Sequence, residues 1–190
     1  MELCLRLEPG SDLRNLLRDL VLSHPAVTSP GAKWDMLKRA RELLLSNSQL
    51  FERGCWDFFD TDARALVDFD MWSTGMTTEE GARKGPSGGA DPYRQDVRYM
   101  TFTIAILMMS GTSADEGIGQ VCDIPEDKLW HIETFMLILR NLDMVNFAFV
   151  KSDVYYLIPG EESWGLTAAD LDDPKFEYLR AIERGPLLQG

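Results

Sequence analysis

Residues 77–92 carry Glu79-Glu80-Gly81 and then Lys84-Gly85-Pro86-Ser87-Gly88-Gly89-Ala90-Asp91-Pro92. A stretch this rich in glycine, proline and polar side chains cannot bury enough apolar surface to offset its ordering entropy. It reads as a flexible linker or long loop, and it restricts where a core can be built. Apolar patterning has to be sought in residues 1–76, again in 93–160, and in a tail over 161–190. The chain has 190 residues, of which 45% are hydrophobic and 26% charged. That is ordinary globular usage, and a chain of this length can bury roughly 70% of its unfolded surface without external staples.

Before the linker, Leu3, Leu5 and Leu7 alternate with Glu2, Cys4, Arg6 and Glu8, the two-residue period of a half-buried strand, and Pro9-Gly10 stops it. Ser11 or Asp12 is positioned to cap a helix with Leu13, Leu16, Leu17, Leu20 and Val21 on one stripe, ending at His24-Pro25. A second helix follows Pro30-Gly31, with Trp34, Leu37, Arg41, Leu44 and Leu45 along one side. Leu50, Phe51, Trp56, Phe58 and Phe59 form an aromatic stretch expected to be a short packed helix. Val67, Phe69 and Met71 alternate with Asp68 and Asp70, which predicts a strand with one apolar and one acidic face.

After the linker, Tyr99 to Met109 reads as an apolar helix stopped at Ser110-Gly111. Ser113-Ala114-Asp115-Glu116 fits a capping box at the start of a short helix carrying Ile118, Val121 and Cys122. Pro125 suits the first position of a longer third helix through Leu129, Ile132, Phe135, Met136, Leu139 and Leu142, with Glu126 and Asp127 at the positive end of its dipole. Met136 to Leu139 is apolar on every side, so that helix should be covered on two faces, by residues 1–90 or by a partner chain. Val145–Val150 and Val154–Ile158 flank Lys151-Ser152-Asp153 and read as a hairpin. Phe176, Leu179 and Ile182 place a last helix at 174–184.

This order of helix, short helix, turn, long helix and hairpin resembles the winged helix-turn-helix superfamily over residues 98–160, with Leu139, Met144 and Val145 near the usual exit of the third helix and Lys151–Asp153 at the wing tip. The expected fold is α+β, mainly helical: a winged-helix-like domain over 93–160, preceded by an N-terminal helical segment with one or two short strands. The resemblance implies a recognition helix, which in nucleic-acid-binding members presents basic and amide side chains to the major groove. Here the corresponding stretch offers Glu126, Asp127, Lys128, Trp130, His131, Glu133 and Thr134.

Charge bears on function more directly. The formal net charge is −12, and no segment of the chain is net basic. Phosphate-backbone binding usually demands the opposite. Cys4, Cys55 and Cys122 are odd in number and outside any C-x-x-C pattern, so neither a disulfide framework nor a zinc site is suggested. The start Met1-Glu2-Leu3-Cys4 lacks a signal-peptide pattern, and the longest apolar run, Ile104–Met109, is too short to span a bilayer, so a cytoplasmic location is expected. His24 reads as a turn residue and His131 as a solvent-facing or half-buried side chain, with no H-E-x-x-H around either.

The leading expectation is a non-enzymatic regulatory or scaffolding protein, without metal or other cofactor, that binds another protein or itself. Lys128, Trp130, His131, Lys151, Trp72 and Trp164 are the candidate interaction residues. The first alternative is a dimeric DNA-binding regulator using Lys128, His131 and Lys151. The second is a metal-dependent enzyme built on Asp57, Asp60, Asp62, Asp68 and Asp70.

Overall fold

The computed structural model describes residues 1–75, 97–159 and 165–185, and the expected linker at 77–92 lies outside these. Its centre is a five-stranded antiparallel sheet in the order β4-β3-β1-β2-β5. The strands are β1 (Glu2–Leu7), β2 (Phe51–Cys55), β3 (Arg98–Met108), β4 (Val150–Ile158) and β5 (Arg180–Ala181). The helices are α1 (Leu13–Ser23), α2 (Pro30–Ser46), α3 (Asp62–Gly75), α4 (Ser113–Val121), α5 (Ile132–Asn141) and α6 (Ala168–Leu171). The architecture is thus mixed α+β, and the sheet takes strands from both sides of residues 77–92.

One face of the sheet carries the main core. Leu3 and Leu5 of β1, Met100, Phe102 and Ile104 of β3, and Tyr155 and Leu157 of β4 meet Leu13, Leu17 and Leu20 of α1, Met36, Leu37, Ala40 and Leu44 of α2, and Phe135 and Leu139 of α5. The expected α1 and α2 form, α2 being capped by Ser29, whose side chain accepts from the Ala32 amide at 3.2 Å. One side of the third helix, α5, is covered by residues 1–90, Arg41 of α2 donating to the Leu139 carbonyl at 2.6 Å, whereas Leu137, expected to be covered, stays exposed. The other face bears Cys4, over which Leu166, Leu171, Phe176 and Leu179 from the C-terminal segment pack. Both faces of β1 are therefore covered.

Several elements depart from the sequence expectations. Residues 98–108 are the long strand β3 between β1 and β4, not a helix. A continuous apolar run does not discriminate a buried helix from a buried strand, and Tyr99, Thr101, Phe102, Thr103, Ile104 and Ile106 are the aromatic and β-branched types that pack well on a pleated surface. Conversely, Asp62–Gly75 is the helix α3, whose Ala63, Arg64, Ala65 and Leu66 favour that form. The aromatic stretch after residue 50 opens as β2, not as a short helix.

The hairpin is also absent. Val150–Ile158 is one strand, paired with β3 from Thr101↔Ile158 to Met108↔Val150. Lys-Ser-Asp supplies none of the left-handed positions that a two-residue turn requires, and Asp153 is buried. The first cap of the second half is Thr112 in place of Ser113, its hydroxyl accepting from the Asp115 amide at 3.3 Å. The helix from Pro125 is broken into a 3₁₀ turn, Glu126–Lys128, and α5, because the backbone between them pairs with Glu183: Ile132 N donates to Glu183 O at 2.9 Å and Glu183 N to Trp130 O at 2.8 Å. The final helix at 174–184 gives way to a 3₁₀ turn, Pro174–Phe176, and the edge strand β5 beside β2. The winged-helix order therefore loses its first helix and its wing, while α4 and α5 remain as a packed pair.

Candidate functional site

α3 lies over the end of the sheet without a fully buried residue among those whose burial is described. It is held by its ends and one face. Tyr156 Oη of β4 donates to the Ser73 carbonyl at 3.0 Å, and the ring of Trp72 meets that of Tyr178 edge-on at 5.6 Å. At the other end, Asp62 accepts from Ser110 Oγ at 2.5 Å and pairs with Lys151 at 3.2 Å. Those two bonds and the lysine charge hold the exposed Asp62 carboxyl below its ordinary range.

A helix spaced off a sheet in this way leaves room beneath it. The space is a cavity of about 430 Å³ between α3, β3 and the loop after β2. Ala65, Asp68, Phe69 and Trp72 project into it from α3, at the three- and four-residue spacing that puts them on one helical side. Thr103 to Met108 of β3 line its floor, and Cys55, Trp56, Asp57, Phe58 and Phe59 one wall. Trp130 and Tyr178 also line it, as do Met1, Met71 and Asp115. Trp56 is fixed by its indole N–H, which donates to the Leu129 carbonyl at 2.9 Å.

Behind the floor sits an isolated acid. Glu2 of β1 is opposite Thr103 of β3 and Cys55 of β2, and its side chain is fully buried. Tyr178 Oη donates to Glu2 Oε2 at 3.0 Å, whereas Oε1 closes no hydrogen bond. Burial raises the proton affinity of the carboxyl, and the nearby hydroxyls of Thr101, Tyr178 and Thr103 offset this only in part. Cys55 is pushed up to about 11 and Cys4 to about 12, in each case chiefly by burial, so neither thiol is an activated nucleophile.

A second polar cluster lies on the opposite face. Asp153 of β4, with a fully buried side chain, pairs with His24 Nε2 at 2.8 Å and with Lys33 Nζ of α2. Burial alone would raise its pKa, but the hydrogen bonds and charges of His24 and Lys33 outweigh that and hold it below the ordinary value. His24 thus hydrogen-bonds Asp153 and is not only a turn residue.

The structure brings three of the six sequence candidates to one place. Trp72 and Trp130 line the cavity, and Lys151 reaches its rim through Asp62. Lys128 is exposed on the 3₁₀ turn before α5. His131 caps α5 half-buried and pairs with Glu183 at 3.1 Å. Trp164 lies outside the described residues. The aspartates divide: Asp57, Asp62 and Asp68 face the cavity, while Asp60 and Asp70 are exposed outside it. Asp68 and Asp70 do not share a face as a strand would require, since two helical residues point about 200° apart. Among the described residues no three His, Cys, Asp or Glu side chains gather as a metal site would need. No described helix is long and apolar enough to cross a membrane.

Sequence reasoning missed Glu2 as a site residue and missed the cavity. A carboxylate within an alternating strand signals solvent by default, and nothing local indicates that residues 166–179 cover that face. Compared with known proteins, the chain matches no family model, no curated protein and no solved structure.

Proposed function

We propose that the chain is a non-enzymatic regulatory or scaffolding protein that holds another polypeptide on the outer side of α3. The observation that carries this reading is the exposure there of Leu66 (49%) and Val67 (67%), with Met71 (61%) on the same helix where it also meets the cavity. Apolar side chains grouped on a solvent-facing helix cost solubility and are characteristic of binding surfaces. Asp70, exposed three and four residues on from Val67 and Leu66, borders them. An apolar strip with a carboxylate beside it, on a chain of net charge −12, is complementary to a basic amphipathic segment. Two copies of so acidic a chain would repel each other across the same strip, so a partner of opposite charge is favoured over self-association.

The α4–α5 pair is what the winged-helix likeness contributes to this proposal. Of Lys128, His131 and Lys151, on which a nucleic-acid reading would rest, His131 and Lys151 are each paired with an acid. The test is fluorescence anisotropy with a labelled basic amphipathic helical peptide, its charge-reversed counterpart, and a DNA duplex. The basic peptide should bind with an affinity that falls as salt rises, and the double substitution Leu66→Ser, Val67→Ser should weaken it by about tenfold or more without lowering the melting temperature. Binding of the duplex in preference to the peptide, or equal binding by the double variant, would refute the reading.

A further inference from the structure

The inner side of α3 carries a separate inference, independent of what binds outside. We propose that the cavity beneath α3 binds an organic cation, a quaternary or protonated amine bearing an apolar body. Its volume of about 430 Å³ falls within the common range for small-molecule sites. Its lining holds four carboxylates, Asp57, Asp62, Asp68 and Asp115, against the one ammonium of Met1, which donates to the Ile104 carbonyl at 3.0 Å. The balance is negative and opposes an anion.

Three of the four are already engaged. Asp57 accepts from the Phe58 amide at 2.9 Å, Asp62 from Ser110 and Lys151, and Asp115 from the Gly111 amide at 2.9 Å. Asp68, half-buried on the cavity side of α3, has no hydrogen-bond or ion-pair partner among the described residues. A neutral apolar occupant would strip water from that carboxylate and return nothing for it, which is costly. A cation supplies the missing partner. Trp56, Trp72 and Trp130 line the same space, and indole faces attract cations electrostatically while sheltering an apolar body. Glu2, with its free Oε1, stands behind Thr103 and Tyr178, both of which line the cavity, and adds to the negative potential when ionised.

The experiment titrates the full chain with benzyltrimethylammonium and follows tryptophan emission and heat. Neopentylbenzene, the uncharged carbon isostere, and benzylsulfonate, an anion of similar shape, serve as comparison probes. The cation should saturate, with both comparison probes about tenfold weaker or worse. Asp68→Asn, which removes a charge that no neighbour uses, should weaken the cation by about tenfold and leave the isostere unchanged. Ala65→Phe, which fills the cavity from α3, should abolish binding in a protein whose circular dichroism is unaltered. Equal binding of cation and isostere would make the cavity merely apolar and overturn the proposal. So would cation binding that survives both substitutions, which would place it on the general acidic surface, or the absence of saturation with every probe.

Discussion

Glu2 shows how far a single residue's chemistry depends on what covers it. Its folded carboxyl binds a proton more tightly than the unfolded chain does, because burial outweighs the hydroxyls around it. A raised value means that the stability tied to this group is fully present below the ordinary 4.5 and is lost as pH rises through the folded-state value. Glu2→Gln keeps an acceptor for Tyr178 and gives Thr101 and Thr103 a donor, with no charge to bury. It should therefore stabilise the fold by about 1–2 kcal/mol near neutrality and by nearly nothing in acid. Urea unfolding of the two proteins near pH 4 and near pH 7 measures the gap, and a gap that fails to widen with pH would contradict the assignment. The residue was illegible in the sequence because strand alternation reports only one neighbour layer. The second layer over Cys4 and Glu2 comes from residues more than 160 positions away.

At the scale of elements, the legible ones were those whose signals are local. α1 and α2 follow from leucine spacing and a serine cap, and β1 from alternation ended by Pro9-Gly10. β3 and α3 carry patterns that suggest each other's form, for a common reason. β3 is buried between two strands and shows no period, while α3 is so exposed that its alternating Val67, Phe69 and Met71 report nothing about a core. The cavity lies between these two elements, so it is hidden along with their forms. β2 shows a tighter constraint. A Cβ on Gly54 would stand 2.7 Å from the buried ring of Phe135 in α5 and 3.1 Å from the Glu2 carbonyl. Neither can retreat, since Phe135 is fully enclosed and the carbonyl belongs to β1. Gly54→Ala should cost about 2 kcal/mol, the scale of overpacking a core. Chemical denaturation measures it, and an unchanged midpoint would mean that α5 does not rest on β2 as described.

For the whole molecule, the question is what ties the residues before the 77–92 segment to those after it. Pairing of β1 with β3 is one link, and the Asp153 cluster is another. Asp153 joins His24 at the end of α1 and Lys33 in α2, partners 129 and 120 positions away, to β4. Its side chain has no exposed surface, while His24 and Lys33 keep 19% and 26% of theirs. His24 and Lys33 can thus fall back on water, but the carboxylate cannot. Held below its ordinary 3.8 by those partners, Asp153 contributes stability that is present above that value and lost as pH falls through the folded-state value. Asp153→Asn should lower stability near neutrality by about 2 kcal/mol, less than for a pair with both members buried because its partners keep some contact with water. It should also flatten the acid limb, so that wild type and variant converge in strong acid. Glu2→Gln produces the opposite pattern, converging in acid but diverging upward with pH. In the double variant both slopes should vanish, its difference from wild type at each pH being the sum of the two single differences, because the groups lie on opposite faces of the sheet and share no partner.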